Sequence, residues 1–127
     1  MKWENVKIQG NNNTRNKPFA SVGRGKLTLS AGACKLIEDQ EEYKFAQFMK
    51  AKENGKLYVG IRLLKEDAPN ALHIARKKLN GKMITAMEIT NKSVMEALFG
   101  VSGSADKTTQ YEVRKDDDEE NVLVISL

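Results

Sequence analysis

The chain has 127 residues, 40% of them hydrophobic and 30% charged, with a formal net charge of +4. That length fits one domain, and that balance excludes a disordered polar chain. No apolar run approaches the roughly 20 residues of a membrane-spanning helix, and one cysteine with one histidine excludes an internal disulfide or a Cys/His metal cluster.

Trp3–Ile8 is expected to be a short strand, and the Asn-rich stretch 9–17 reads as a loop or flexible arm. Pro18 favours an extended start to Phe19–Val22. Gly23-Arg24-Gly25 supplies the positive-φ residues of a tight turn, and Lys26–Leu29 returns as the second strand. Ser30 is a good N-cap for a helix over Ala31–Glu38, which buries Ala33, Cys34, Leu36 and Ile37 on one face. Tyr43–Ala51 is apolar, and Leu57–Leu63 alternates with Leu57, Val59, Ile61 and Leu63 on one face. Asn54-Gly55 joins them as a type I′ hairpin. Asn80-Gly81 joins Ala71–Leu79 to Lys82–Ile89 in the same way. Thr90 caps a second helix, Asn91–Phe99, which Gly100 ends in left-handed geometry. Val101–Lys107 is a small-residue loop. Thr109–Arg114 and Val122–Leu127 then form strands around the acidic turn 116–121.

The order of elements recurs. Residues 25–64 and 81–127 both read Gly-Lys, strand, hydroxyl cap, helix, strand, hairpin turn, strand. Forty residues so arranged cannot bury enough apolar surface alone, whereas two packed copies can. The expected fold class is therefore α+β, mainly antiparallel β-sheet with two short helices and a pseudo-twofold strand–helix–hairpin repeat. The chain divides into an N-terminal strand and arm (1–18), a first repeat (19–64), a connecting strand (65–80) and a second repeat (81–127).

Gly25-Lys26-Leu27-Thr28-Leu29-Ser30, the helix through Leu36-Ile37, Phe45 to Ala51, Asn54-Gly55-Lys56 and Leu57-Tyr58-Val59-Gly60-Ile61-Arg62 together resemble the AbrB/MazE/SpoVT swapped-hairpin pattern. The tandem order resembles the two-repeat arrangement of MraZ. Lys26 stands where that family usually has Arg, and Glu42-Tyr43 replaces its usual Gly-Asp. The resemblance implies interleaved hairpins and a DNA-binding role.

Charge is unevenly divided. Residues 1–86 carry 17 basic and 8 acidic side chains, and residues 87–127 carry 4 basic and 9 acidic. Arg15, Lys17, Arg24, Lys26, Arg76, Lys77, Lys78 and Lys82 are the candidate phosphate contacts, with Asn11, Asn12, Asn13 and Arg15 able to read base edges. They form one surface if the hairpin tips lie on one side of the sheet. Asp116, Asp117, Asp118, Glu119 and Glu120 lack the spacing of a calcium loop and read as a solvated turn, with docking on a basic protein surface as the alternative. Tyr58 with Arg62 is the candidate stacking pair for a single strand or an anionic small molecule.

His73 has no nucleophile or orienting acid near it in sequence, and Cys34 reads as a buried small hydrophobe. No catalytic constellation emerges and no cofactor is implied. Three non-enzymatic functions stay open. The first is a DNA-binding regulator, the second a small inhibitor or adaptor of mobile-element type that binds a host protein, and the third a single-strand binder. The expected setting is the cytoplasm, with no membrane partner and a homodimer allowed by exposed strand edges.

Overall fold

Two hairpin turns set the frame. Arg24 and Gly25 adopt φ of 55° and 75°, and Asn54 and Gly55 adopt 52° and 80°. Paired positive-φ residues of this kind turn the chain with the twist that antiparallel strands need. The structure, a computed structural model, describes residues 2–4, 17–79 and 81–127, with the backbone alone at 77–79 and 82–84.

Nine strands result among the described residues: β1 (Phe19–Gly23), β2 (Lys26–Leu29), β3 (Phe45–Glu53), β4 (Lys56–Leu64), β5 (Leu72–His73), β6 (Ala75–Leu79), β7 (Lys82–Thr90), β8 (Thr109–Lys115) and β9 (Val122–Ser126). Two helices, α1 (Ala31–Cys34) and α2 (Lys92–Phe99), follow β2 and β7. The strands form one sheet in the order β5-β3-β4-β9-β8-β1-β2-β7-β6, and every pair is antiparallel. Its two ends, β5 and β6, are separated in the chain by Ile74 alone. The stretch 72–79 therefore lies against β3 at one end and β7 at the other, and the sheet is a nearly closed barrel.

Alternating inward side chains fill it. Val22, Leu27, Leu29, Val59, Ile61, Leu63, Met87, Ile89, Leu123 and Ile125 are all fully buried. Because β2 and β7 pair antiparallel, with Lys26 opposite Thr90 and Leu29 opposite Met87, their C-termini point to opposite ends of the barrel. The helices that follow them consequently close opposite ends. Ala33, Cys34 and Ile37 seal one and Met95 seals the other.

Local departures from expectation have physical causes. The first helix is one turn, Ala31–Cys34, and not the run to Glu38. Leu36 N–H bonds to Ala33 O and Ile37 N–H to Cys34 O, so the chain tightens to i→i+3 turns and then breaks at Asp39, whose φ is 56°. Thr90 stays in β7, and Asn91 caps α2 through its side-chain oxygen, which accepts from Val94 N–H at 3.0 Å. Gly100 ends α2 with φ 65° and ψ −143°, outside the left-handed helical region. Lys2–Glu4 have no regular structure, and the rest of the expected first strand lies outside the described residues, as do Asn11, Asn12, Asn13 and Arg15.

Ser30 does more than cap a helix. Its hydroxyl accepts from Ala33 N–H at 3.1 Å and from Phe19 N–H at 3.0 Å, and donates to Lys17 O at 2.8 Å. It thereby ties the start of β1 to the start of α1. Ser30→Ala is expected to lower stability by about 2 kcal/mol, the upper range for a cap. Urea unfolding of the two proteins checks this, and a loss below about 0.5 kcal/mol would count against the three-way role.

Candidate functional site

The basic groups do not share one surface. Lys26 sits opposite Thr90, eight residues along β7 from Lys82. At about 3.3 Å per residue the two hairpin tips are roughly 26 Å apart, at opposite ends of the barrel. The condition for a single phosphate-facing patch is not met.

Register also places the other two tips. Tyr58 is opposite Ser126, Ile125 is opposite Val113, and Thr109 is opposite Val22. The β3–β4 tip thus shares the α2 end with the β1–β2 tip. By the same pairing, the acidic β8–β9 turn shares the α1 end with the β6–β7 tip.

At the α2 end Arg24, Lys50, Lys52, Lys56, Lys92 and Lys107 are exposed. Arg24 Nε donates to Asp106 O at 3.0 Å, which fixes its stem and leaves the rest of the guanidinium outward. Gly25 is closely packed here: a Cβ on it would lie 3.1 Å from Lys92 Cβ, and its N–H bonds to Gly103 O. Lys26 is partly engaged, with Nζ 3.7 Å from Glu88 Oε1. Lys17 is exposed just before β1. Lys77, Lys78 and Lys82 are placed by backbone alone, at the α1 end.

Arg76 is turned inward. Its guanidinium donates to Gln40 Oε1 at 2.6 Å, Gln40 O at 2.5 Å and Tyr43 O at 2.8 Å. The fork clamps the 40–43 segment, including a short 3-10 turn at Gln40–Glu42, onto β6. Nothing in its sequence neighbours, Lys77 and Lys78, signals that role.

Cys34 lies in the core. Burial pushes its thiol up from 9.0 to about 11, against a smaller opposing pull from the Arg76 guanidinium. A raised value means that the folded state holds the thiol proton more tightly. That contribution is complete below about pH 9 and is lost as pH rises through about 11. Thiol labelling at pH 8 is expected to follow global unfolding, and rapid labelling of the folded protein would contradict the burial.

The acidic turn and the stacking pair, 57 residues apart between Arg62 and Glu119, come together in space. Arg62 Nη2 lies 3.2 Å from Glu119 Oε1. Asp116 Oδ2 accepts from Asp118 N–H at 3.1 Å and from Glu119 N–H at 3.0 Å, which folds the turn around that carboxylate. Asp117, Asp118 and Glu120 remain exposed. Tyr58 lines a groove of about 250 Å³ on the outer face of β3, β4, β9 and β8, floored by Gly60, Val122 and Val124 and walled by Met49 and Arg114. Arg62 is given to Glu119, and Arg114, exposed on β8 and lining the groove, is the second guanidinium of this face. Sequence reasoning missed Arg114 and Met49. Gly60 was the available signal, since a glycine inside an alternating strand marks a close approach; a Cβ there would lie 3.0 Å from Met49 Cε.

Among the described residues no cluster of three or more His, Cys, Asp or Glu could hold a metal, and no helix is long and apolar enough to cross a membrane. His73 stands exposed in β5 with its ring 4.6 Å from that of Phe45. Compared with known proteins, the chain matches no family model, no curated protein and no solved structure.

Proposed function

We propose that the chain is a non-enzymatic nucleic-acid-binding protein that meets duplex DNA with the α2 end of its barrel. The carrying observation is the common placement of two hairpin tips, Arg24-Gly25-Lys26 and Lys52–Lys56, at that end beside exposed Lys50, Lys92 and Lys107. Lysine and arginine on β-ribbons suit phosphate contact along a groove. The basic set contracts accordingly: Arg76 acts within the fold, and the β6–β7 lysines belong to the other end.

The strand order supports a finer reading of the fold. β1-β2-α1-β3-β4 and β6-β7-α2-β8-β9 are two copies of one plan, with β5 extending β6. Around the barrel their hairpins alternate: β3–β4, β9–β8, β1–β2, β7–β6. Exchanging the copies returns the same circular order, a pseudo-twofold. Interleaving of this kind is what the swapped-hairpin resemblance implies, and it fits a DNA-binding regulator acting in the cytoplasm.

A duplex titration tests the reading. Binding is expected to weaken steeply with salt, and the combined Arg24→Ala, Lys52→Ala, Lys56→Ala variant to reduce the slope of log affinity against log salt by about 3. Replacing Lys77, Lys78 and Lys82 is expected to leave it unchanged. No binding at low salt, or equal loss from both variants, overturns the α2-end assignment.

One observation favours a second reading, an inhibitor or adaptor docking on a basic protein. The Asp116 carboxylate and the Arg62–Glu119 pair hold the acidic turn in place with Asp117, Asp118 and Glu120 outward, at the end opposite the Arg24 and Lys52–Lys56 tips. A stoichiometric partner lost when 116–120 is replaced supports it. A partner retained by that variant excludes the turn.

A further inference from the structure

β3 pairs with β4 along its whole length, from Phe45 opposite Leu64 to Glu53 opposite Lys56. On its other side it meets β5 only at Phe45 and Ala46. Gln47 Nε2 then donates to Pro69 O at 2.8 Å, which covers the next position with the 65–71 loop. From Phe48 to Glu53 no described strand lies alongside. A strand edge of this length is a template for pairing with another chain.

Side-chain alternation gives the edge two different faces. Phe48, Lys50 and Lys52 share the face of Ile61, Val59 and Leu57, their partners on β4. Met49, Ala51 and Glu53 share the opposite face with Gly60, Tyr58 and Lys56, beside the outer groove, and the Glu53 carboxylate at its end stands opposite Lys56. An added strand would therefore place every second residue beside the two exposed lysines and the intervening ones beside Met49 and Ala51. Carboxylates at the first set and apolar side chains at the second complement both faces.

A second copy of this chain is a poor occupant. Pairing β3 antiparallel with itself about Ala51, with the two core-side faces aligned, sets Lys50 opposite Lys52 of the other copy. Pairing about Lys50 sets that lysine opposite its own equivalent. Like charges directly opposite destabilise a strand pair. The lysines that discourage self-pairing also select for an acidic partner.

We propose that the edge of β3 from Phe48 to Glu53 binds an extended segment of a partner protein, alternating acidic and apolar residues, by strand addition. The proposal does not rest on DNA binding. Lys50 and Lys52 belong to both surfaces, so the test contains no nucleic acid, and a failed duplex titration leaves it untouched.

The test uses the whole protein with two short blocked peptides, one alternating valine with glutamate and one alternating valine with lysine. In the protein alone, those amides of 48–53 that do not face β4 are expected to exchange fast with solvent. The valine–glutamate peptide is expected to slow them, and the valine–lysine peptide to leave them fast. The exposed pair Lys50→Glu, Lys52→Glu is expected to weaken the glutamate peptide about tenfold and to admit the lysine peptide. Slow exchange of all these amides before any peptide is added overturns the proposal, because the edge is then already covered by this chain or a second copy. Equal binding of the two peptides, or binding of neither, overturns it as well.

Discussion

Gly103→Ala is expected to lower the stability of the barrel by about 3 kcal/mol, the upper range for overpacking, and its melting midpoint by roughly 10 °C. Gly103 is buried at the end of the short 3-10 turn Gly100–Gly103 that follows α2. A Cβ there would run into the carbonyl group of Met95 and lie 2.7 Å from Glu96 N, all backbone atoms of α2. Backbone cannot rotate aside as the end of a side chain can. Gly103 also accepts the Gly25 N–H, so displacing it disturbs the β1–β2 tip. Gly55 makes the contrast, since nothing lies within 4 Å of a Cβ there and only its positive φ resists substitution. Thermal unfolding followed by circular dichroism reads the effect. A loss under about 1 kcal/mol would mean that the α2 turn yields easily.

Arg76→Ala is expected to lower stability by about 3 kcal/mol, the upper value for a hydrogen-bonded charged group, without changing the salt dependence of DNA binding. The guanidinium satisfies Gln40 O, Gln40 Oε1 and Tyr43 O together. Its removal leaves two main-chain carbonyls of a half-buried segment without that donor. Arg76→Lys is expected to recover less than half of the loss, because an ammonium cannot reproduce the planar fork. Urea unfolding and a duplex titration, run on the same variants, separate the two roles. Full stability with a flattened salt slope would return Arg76 to the set of phosphate contacts.

What could be read from the sequence follows how local the cause is. The hairpins over 19–29, 45–64 and 75–90 were legible because Arg24-Gly25, Asn54-Gly55 and Gly81 announce the backbone that the turns need. Helix ends were less so. Ser30 stands where a cap belongs, yet α1 stops after one turn because Leu36 and Ile37 reach the core through tighter turns. The second cap fell one residue later than expected, since Thr90 pairs with Lys26 and is held in β7.

The candidate site was hardest, because its geometry is non-local. Lys26 and Lys82 look alike in sequence, each just after a glycine turn, but the antiparallel pairing of β2 and β7 sends them to opposite ends. The stacking pair and the acidic turn were separate hypotheses until the β4–β9 register placed Arg62 opposite Val122, next to Glu119. Arg76 was grouped by charge with its neighbours. Nothing in the local pattern shows that its acceptors lie 33 and 36 residues earlier.

The place of β8 and β9 between β4 and β1 sets a schedule for biosynthesis. When the ribosome has delivered the chain as far as α2, the β3–β4 hairpin and the β1–β2 hairpin have no strand to join them across that side. Both β4 and β1 then present bare edges, and the apolar side chains of Val22, Ile61 and Leu63 face an open trough. β8 and β9, made after α2, are the strands that close it. The barrel is thus expected to form after translation of residue 126, in one late step, and a ribosome stalled before Thr109 is expected to hold a chain prone to aggregate.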